Sequence, residues 1–329
     1  MHLRSLLAAI VFLIAPLSVD ASAQTAGKTY RVGYVALGPK DSPVMKASLE
    51  GLTRGLAQHG FVAGSNLIIE ARFADAKPER LPGLIKELID AKVDVIMTLS
   101  YPAARAAKDA TKTIPIVIEG ASDPVGTGLV ASLSRPGGNV TGLSDMAAEL
   151  SAKRLEFLRE LVPSAKKVAV LFNASDPAMT ARYHAAETVA PALGITLQPL
   201  GVREPEEFGM AFEAMKKDMP DGIMMVTDAL TNLNRKRVIE FAAEHHLPAI
   251  FELGYMVHEG GLMAYGVDRA EASERAADIV VRVLNGANPA DLPIEQPTLF
   301  HLTVNPTVAK SLGLTFPQSI LIQADDVVE

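Results

Sequence analysis

Short apolar runs alternate with amphipathic stretches along most of the chain. The runs Arg31–Leu37, Leu67–Ala74, Val93–Ser100, Ile114–Glu119, Lys167–Asn173, Ile195–Val202, Gly222–Asp228, Pro248–Leu253 and Leu262–Val267 read as strands. Several are nearly continuous in Val, Ile, Leu and Met, the pattern of parallel strands covered on both faces. Between them, apolar residues recur at helical spacing over about 44–58, 78–90, 102–110, 148–161, 177–192, 205–218, 231–244 and 269–285. Pro82, Pro191 and Pro220 mark starts, kinks or ends of these helices. The alternation predicts an α/β fold with parallel sheets.

The same grammar is written twice. Val32-Gly33-Tyr34-Val35 corresponds to Val168-Ala169-Val170-Leu171, and Val93-Asp94-Val95-Ile96 to Asp221-Gly222-Ile223-Met224. Ile114-Pro115-Ile116-Val117-Ile118 corresponds to Leu247-Pro248-Ala249-Ile250-Phe251. An offset of about 130 residues is a domain-sized duplication, whereas solenoid repeats run at about 20–50. Two similar doubly wound parallel-sheet lobes follow. The segments near 262–270 and 294–304 read as further crossings between them, so that several chain segments form a hinge. Lobe one is expected at 28–144 plus 268–296, and lobe two at 145–267 plus 297–329.

In an open parallel sheet, ligands bind beyond the carboxyl ends of the strands. Facing lobes would line one cleft with the loops at those ends. In lobe one, Ser42 closes the first such loop, and Ser100-Tyr101-Pro102-Ala103-Ala104 follows a strand. Pro102 suits a first helical turn, leaving the N–H groups of Ala103 and Ala104 to attract a carboxylate, with the Ser100 hydroxyl beside them. An ordinary capped helix has the same pattern. Asp123 suits a ligand ammonium or a cap ahead of Pro124. In lobe two, Asn173 and Ser175 point into the cleft, while Asp176-Pro177 reads as a structural cap. Asp228 is the first choice for an ammonium or hydroxyl partner, with capping of the following helix as the alternative. Glu252 joins the set, and Tyr101 and Tyr255 are candidate walls for an apolar or aromatic ligand. Tyr34, inside a strand, reads as core. Lys40, Lys46 and Arg182 are candidate exposed charges for docking a membrane partner.

Composition narrows the class. The 329 residues, 49% apolar and 21% charged, can bury a core without staples. A net charge of −7, without a dense basic run, argues against nucleic-acid binding. Zero cysteines exclude disulfides, thiol catalysis and Cys-ligated zinc. No G-x-x-x-x-G-K-[ST], G-x-S-x-G or H-E-x-x-H motif is present, and no cofactor or metal is implied. His2 and Arg4 precede an apolar run from Leu6 to Leu17 and then Ala21-Ser22-Ala23, the pattern of a secretory signal peptide cleaved after Ala23. With no cysteine for a lipid, a soluble protein of the periplasm is expected.

Several phrases carry a family resemblance. They are Val93-Asp94-Val95-Ile96 followed by Tyr101-Pro102-Ala103-Ala104, Ile114-Pro115-Ile116-Val117, Ser122-Asp123-Pro124-Val125-Gly126 and Pro136-Gly137-Gly138-Asn139-Val140-Thr141-Gly142. Lys167-Val168-Ala169-Val170-Leu171-Phe172-Asn173, Val226-Thr227-Asp228 and Ala309-Lys310-Ser311-Leu312-Gly313-Leu314 continue the order. The chain resembles the type I periplasmic binding proteins, and within them the ABC-transporter substrate-binding family of tryptophan/tyrosine type. That resemblance implies a monomer, without enzymatic chemistry, that captures a small solute for an inner-membrane permease and its ATPase. The cleft residues favour a hydrophobic or aromatic amino acid or a related carboxylate. The alternatives are an exported sensory protein feeding a membrane kinase and an exported two-lobe enzyme.

Overall fold

The computed structural model describes residues 28–329, so the signal-peptide expectation for residues 1–23 lies outside the described residues. In chain order come β1 (Tyr30–Ala36), α1 (Pro43–Gln58), β2 (Leu67–Phe73), α2 (Leu81–Asp90), β3 (Val95–Leu99), α3 (Tyr101–Ala110), β4 (Ile116–Glu119) and β5 (Val140–Leu143). The chain crosses at 144–146 into α4 (Ala147–Leu161), β6 (Lys167–Asn173), α5 (Pro177–Val189), β7 (Thr196–Val202), α6 (Glu207–Lys217) and β8 (Gly222–Met225). Then follow α7 (Ala229–Leu233), α8 (Arg235–Glu244), β9 (Ala249–Phe251), α9 (Tyr255–His258) and β10 (Met263–Gly266). After 267–268, α10 (Arg269–Leu284) returns to pack along α1 and against β4 and β5. The chain recrosses at 296–300 to β11 (His301–Val304), α11 (Pro306–Ser311), α12 (Gln318–Gln323) and β12 (Asp326–Val327).

Each lobe is one sheet. The first runs β2-β1-β3-β4-β5, all parallel. The second runs β12-β11-β10-β9-β8-β6-β7, parallel except where β11 meets β10. Side chains alternate faces along a strand. On β1, Val32, Tyr34 and Ala36 pack with Leu52 and Leu56 of α1 and Val280 of α10, whereas Val35 and Leu37 pack with Ile85 and Leu88 of α2. Tyr34 is therefore core, as its position in the strand predicts.

The duplication is visible in the topology: β6-β7-β8-β9-β10 repeat the order of β1-β2-β3-β4-β5. The register of one correspondence shifts by a residue. Val32 pairs with Val95, and Val168 pairs with Gly222, so Asp94 matches Asp221. Both aspartates do the same work. Asp94 accepts the Arg31 N–H at 2.7 Å, and Asp221 accepts the Lys166 and Lys167 N–H groups at 2.7 and 2.9 Å. Each satisfies backbone donors where the neighbouring strand begins.

Several elements depart from the expected pattern. β5 and β11, of four residues each, and β12, of two, fall outside the expected strands, and α9, α11 and α12 fall outside the expected helices. The helix expected over 231–244 is two helices, α7 and α8, that meet at Asn234.

Candidate functional site

The carboxyl ends of both sheets face a cavity between the lobes, whose empty space, partly open to solvent, is about 650 Å³. Lobe one contributes Leu37, Ser42, Met45, Leu99, Ser100 and Gly120, joined by Arg269 at the start of α10. Lobe two contributes Asp176, Met179, Arg182, Thr227, Asp228, Asn232 and Leu253.

Ser42, Ser100 and Asp228 are the sequence candidates that line this cavity. Ser42 caps α1 by accepting the Met45 N–H at 3.3 Å. Ser100 joins β3 to α3 with φ 101° and ψ 156°, a conformation nearly reserved for glycine that costs about 1–3 kcal/mol. Its buried Oγ has no hydrogen-bond partner in the protein, and neither has Thr227 Oγ1 across the cleft. Asp228 closes a capping box with Thr231: Oδ1 accepts the Thr231 N–H at 2.9 Å. Oδ2 accepts from the Asn173 amide at 2.6 Å. Burial raises the Asp228 carboxyl above its ordinary value, against the Thr231 N–H and the Asn173 amide, which lower it. Asp228 therefore caps α7, the alternative reading, and also lines the cavity.

The other candidates go elsewhere, each for a physical reason. Asn173 supports Asp228 from behind, and its Oδ1 accepts the Ser175 N–H at 2.9 Å. Ser175 is itself exposed and does not line the cavity. Ala103 and Ala104 are core residues, and the Ala104 N–H already donates to the Ser100 carbonyl at 3.1 Å, so the expected pair of free donors is absent. Tyr101 packs against the apolar cores of both lobes instead of walling the cavity. Asp123 is exposed and accepts the Gly126 N–H at 2.8 Å, closing a turn, and no helix follows it to be capped. Tyr255 donates to Asn232 Oδ1 and lies under the Arg235 guanidinium, in a separate hollow at the rim.

Glu252 belongs to a buried ion cluster beside the cavity. Its Oε1 pairs with Arg154 at 3.1 Å and its Oε2 with Arg182 at 2.8 Å. Burial pushes this carboxyl up, but the Arg154 and Arg182 guanidiniums outweigh burial and hold it below its ordinary value. Arg182 also pairs with Asp145, on the 144–146 crossing, and donates to Ser122 Oγ of lobe one at 2.9 Å. It is 5% exposed, which corrects its reading as a surface docking charge. Lys40 and Lys46 are exposed.

The sequence pattern of Asp176-Pro177 predicts a structural cap. Asp176 does cap α5, accepting the Ala178 N–H at 2.8 Å, but it also lines the cavity. Burial, opposed by the Ala178 N–H and reinforced by the charge of Asp228, pushes its carboxyl up to about 6. Among the described residues no group of three or more His, Asp or Glu side chains is placed to hold a metal ion. No helix of the described residues is long and apolar enough to cross a membrane.

Known proteins share this fold. The family model described as "ABC transporter substrate binding protein" matches residues 38–328. A curated relative, the tyrosine-binding protein of Clostridioides difficile strain R20291, is 28% identical over 83% of this chain and 79% of its own. The crystal structure of an ABC domain from Streptococcus pneumoniae in complex with L-Trp superposes with a TM-score of 0.85 at 25% identity, covering 92% of this chain and all of that one. The ligand-free, open structure of a substrate binding protein with adhesive properties from Clostridium difficile gives 0.69 at 28% identity, over 92% of this chain and 99% of that one.

Proposed function

This chain belongs to the ABC transporter substrate-binding protein family, and on that premise we propose that it captures an amino acid with a hydrophobic or aromatic side chain between its lobes. One observation carries the reading: the cavity sets two carboxylates, Asp176 and Asp228, on lobe two opposite the unpartnered Ser100 hydroxyl on lobe one. Carboxylates favour a ligand ammonium, and a spare hydroxyl donates to a ligand oxygen. Leu37, Leu99, Leu253, Met45 and Met179 supply an apolar lining, and thioethers pack well against aromatic rings. The relatives that bind Tyr and L-Trp support the same class.

The ligand closes the lobes and is handed unchanged to a membrane permease and its ATPase. The higher TM-score with the L-Trp complex than with the open, ligand-free structure supports a closed arrangement here. The protein works as a monomer in the periplasm, with no chemistry of its own.

Thermal unfolding of the 24–329 chain with a panel of amino acids, aromatic acids and small organic acids tests this. An amino acid at 100 times its Kd adds about 2.7 kcal/mol and raises Tm by several degrees. Asp228→Ala is expected to abolish that shift for the amino acid while sparing its deaminated analogue. No shift across the amino acids contradicts the reading, and a ligand recovered as a different compound contradicts the absence of chemistry.

A further inference from the structure

Three guanidiniums surround the base of the cleft, and two are committed. Arg154 donates to the Tyr265 carbonyl at 2.7 Å and pairs with Glu252, while Arg182 is shared among Ser122, Asp145 and Glu252. Arg269 differs. Among the described residues its ionic contact is with Glu119, Nη1 to Oε1 at 3.5 Å, and that Oε1 has no hydrogen-bond partner. Most of the Arg269 donor fork is thus unspent, and the residue lines the cavity.

The surroundings hold Arg269 in place. Its Nη1 lies over Gly120, where a Cβ would come within 3.2 Å of it. Gly120 has φ 66°, so bare backbone makes the room. Behind it, Glu119 Oε2 accepts from Ser273 Oγ at 2.7 Å. Ser273 bonds Ser48 at 2.6 Å, and Ser48 accepts from the Tyr34 hydroxyl at 3.0 Å. This buried chain fixes the carboxylate against which the guanidinium rests. Ser100 is adjacent, because its N–H donates to the Glu119 carbonyl at 3.2 Å, and its own Oγ is buried and unpartnered.

We propose that Arg269, with the Ser100 hydroxyl, takes the carboxylate of the ligand from lobe one, while Asp176 and Asp228 take its ammonium from lobe two. The inference rests on the amino-acid reading above and adds the residue that recognises the acid end. It also gives closure a chemical condition. The two charged ends of one small molecule grip different lobes, so a ligand lacking either charge holds only one of them. An arginine fork suits a planar carboxylate, and such charge-assisted bonds are the strong ones.

Calorimetric titration of the wild type, Arg269→Gln and Arg269→Lys with L-tyrosine, L-tryptophan and their amides tests this. The wild type is expected to prefer the free acid over the amide by about 10- to 100-fold. Arg269→Gln loses affinity for the acid by a similar factor and binds the amide as the wild type does, so the preference collapses. Arg269→Lys, which keeps the charge beside Glu119, falls between the two. Unfolding without ligand separates a folding defect from a binding defect, and Arg269→Lys carries the test if Arg269→Gln does not fold. A wild type that prefers the acid, with Arg269→Gln keeping that preference, overturns this inference alone, as does a wild type that takes acid and amide equally. A wild type that binds neither amino acid nor amide overturns the amino-acid reading and this inference with it.

Discussion

Asp176 caps a helix and also faces the cavity, and its protonation links the two roles. Its carboxyl is pushed from 3.8 up to about 6, chiefly by burial. A folded pKa above the unfolded one means that its contribution to stability is full below about pH 4 and is lost as pH rises through about 6. That loss is on the order of 3 kcal/mol at most. Asp176→Asn keeps a good cap. In the ligand-free protein it should be more stable than the wild type at pH 7.5, with the gap closing by pH 4, as read by denaturant unfolding. A ligand ammonium favours the ionised form, so amino-acid affinity should weaken below about pH 6. The sequence made the cap legible through Asp176-Pro177 but not its second role. Arg182 shows the same limit. Charge alone suggests a surface residue, yet Ala178, Met179, Arg182, Tyr183 and Ala186 are the buried stripe of α5 at helical spacing. An arginine inside such a stripe was the signal for the ion cluster. Nothing local marked Arg269, because its partners Glu119 and Gly120 lie about 150 residues away in sequence.

At the scale of elements, α1 and α10 pack unusually close. A Cβ on Gly51 would sit 2.1 Å from the Ala270 carbonyl oxygen, and one on Gly55 would sit 2.6 Å from Ala277 Cβ. Helix propensity favours alanine over glycine by about 1 kcal/mol, but overpacking costs about 1–3 kcal/mol or more against backbone that cannot move aside. Gly51→Ala is therefore expected to destabilise by about 1–3 kcal/mol in denaturant unfolding. Gly83→Ala, on an exposed helix position with nothing within 4 Å, should stabilise by about 0.5–1 kcal/mol. Equal effects would mean that the close contact is not what glycine serves. The long apolar strands were legible because burial on both faces leaves nearly continuous Val, Ile and Leu. β5 and β11 were not: four residues are too few for periodicity, and β5 contains Gly142, where a Cβ would strike Ile118 backbone at 2.2 Å. Asn234 ends α7 with non-helical backbone, φ −99° and ψ 5°, a break that the apolar spacing of 231–244 conceals.

At the scale of the molecule, the duplication in the sequence is enough to locate the cleft, because strand order dictates where the carboxyl ends converge. What the pattern could not supply was the state of that cleft. The Arg182–Ser122 hydrogen bond at 2.9 Å joins the lobes, and Asp145 ties the same guanidinium to a crossing segment. A ligand that bridges the cleft adds its own contacts to these, so it is expected to shift the lobes further toward the closed arrangement. Small-angle X-ray scattering on the 24–329 chain, alone and with saturating L-tyrosine or L-tryptophan, tests this most directly. A compact chain of this length has a radius of gyration of about 20 Å. A fall toward that value on adding the amino acid is the predicted result. An unchanged radius at saturating amino acid would contradict capture by closure between the lobes.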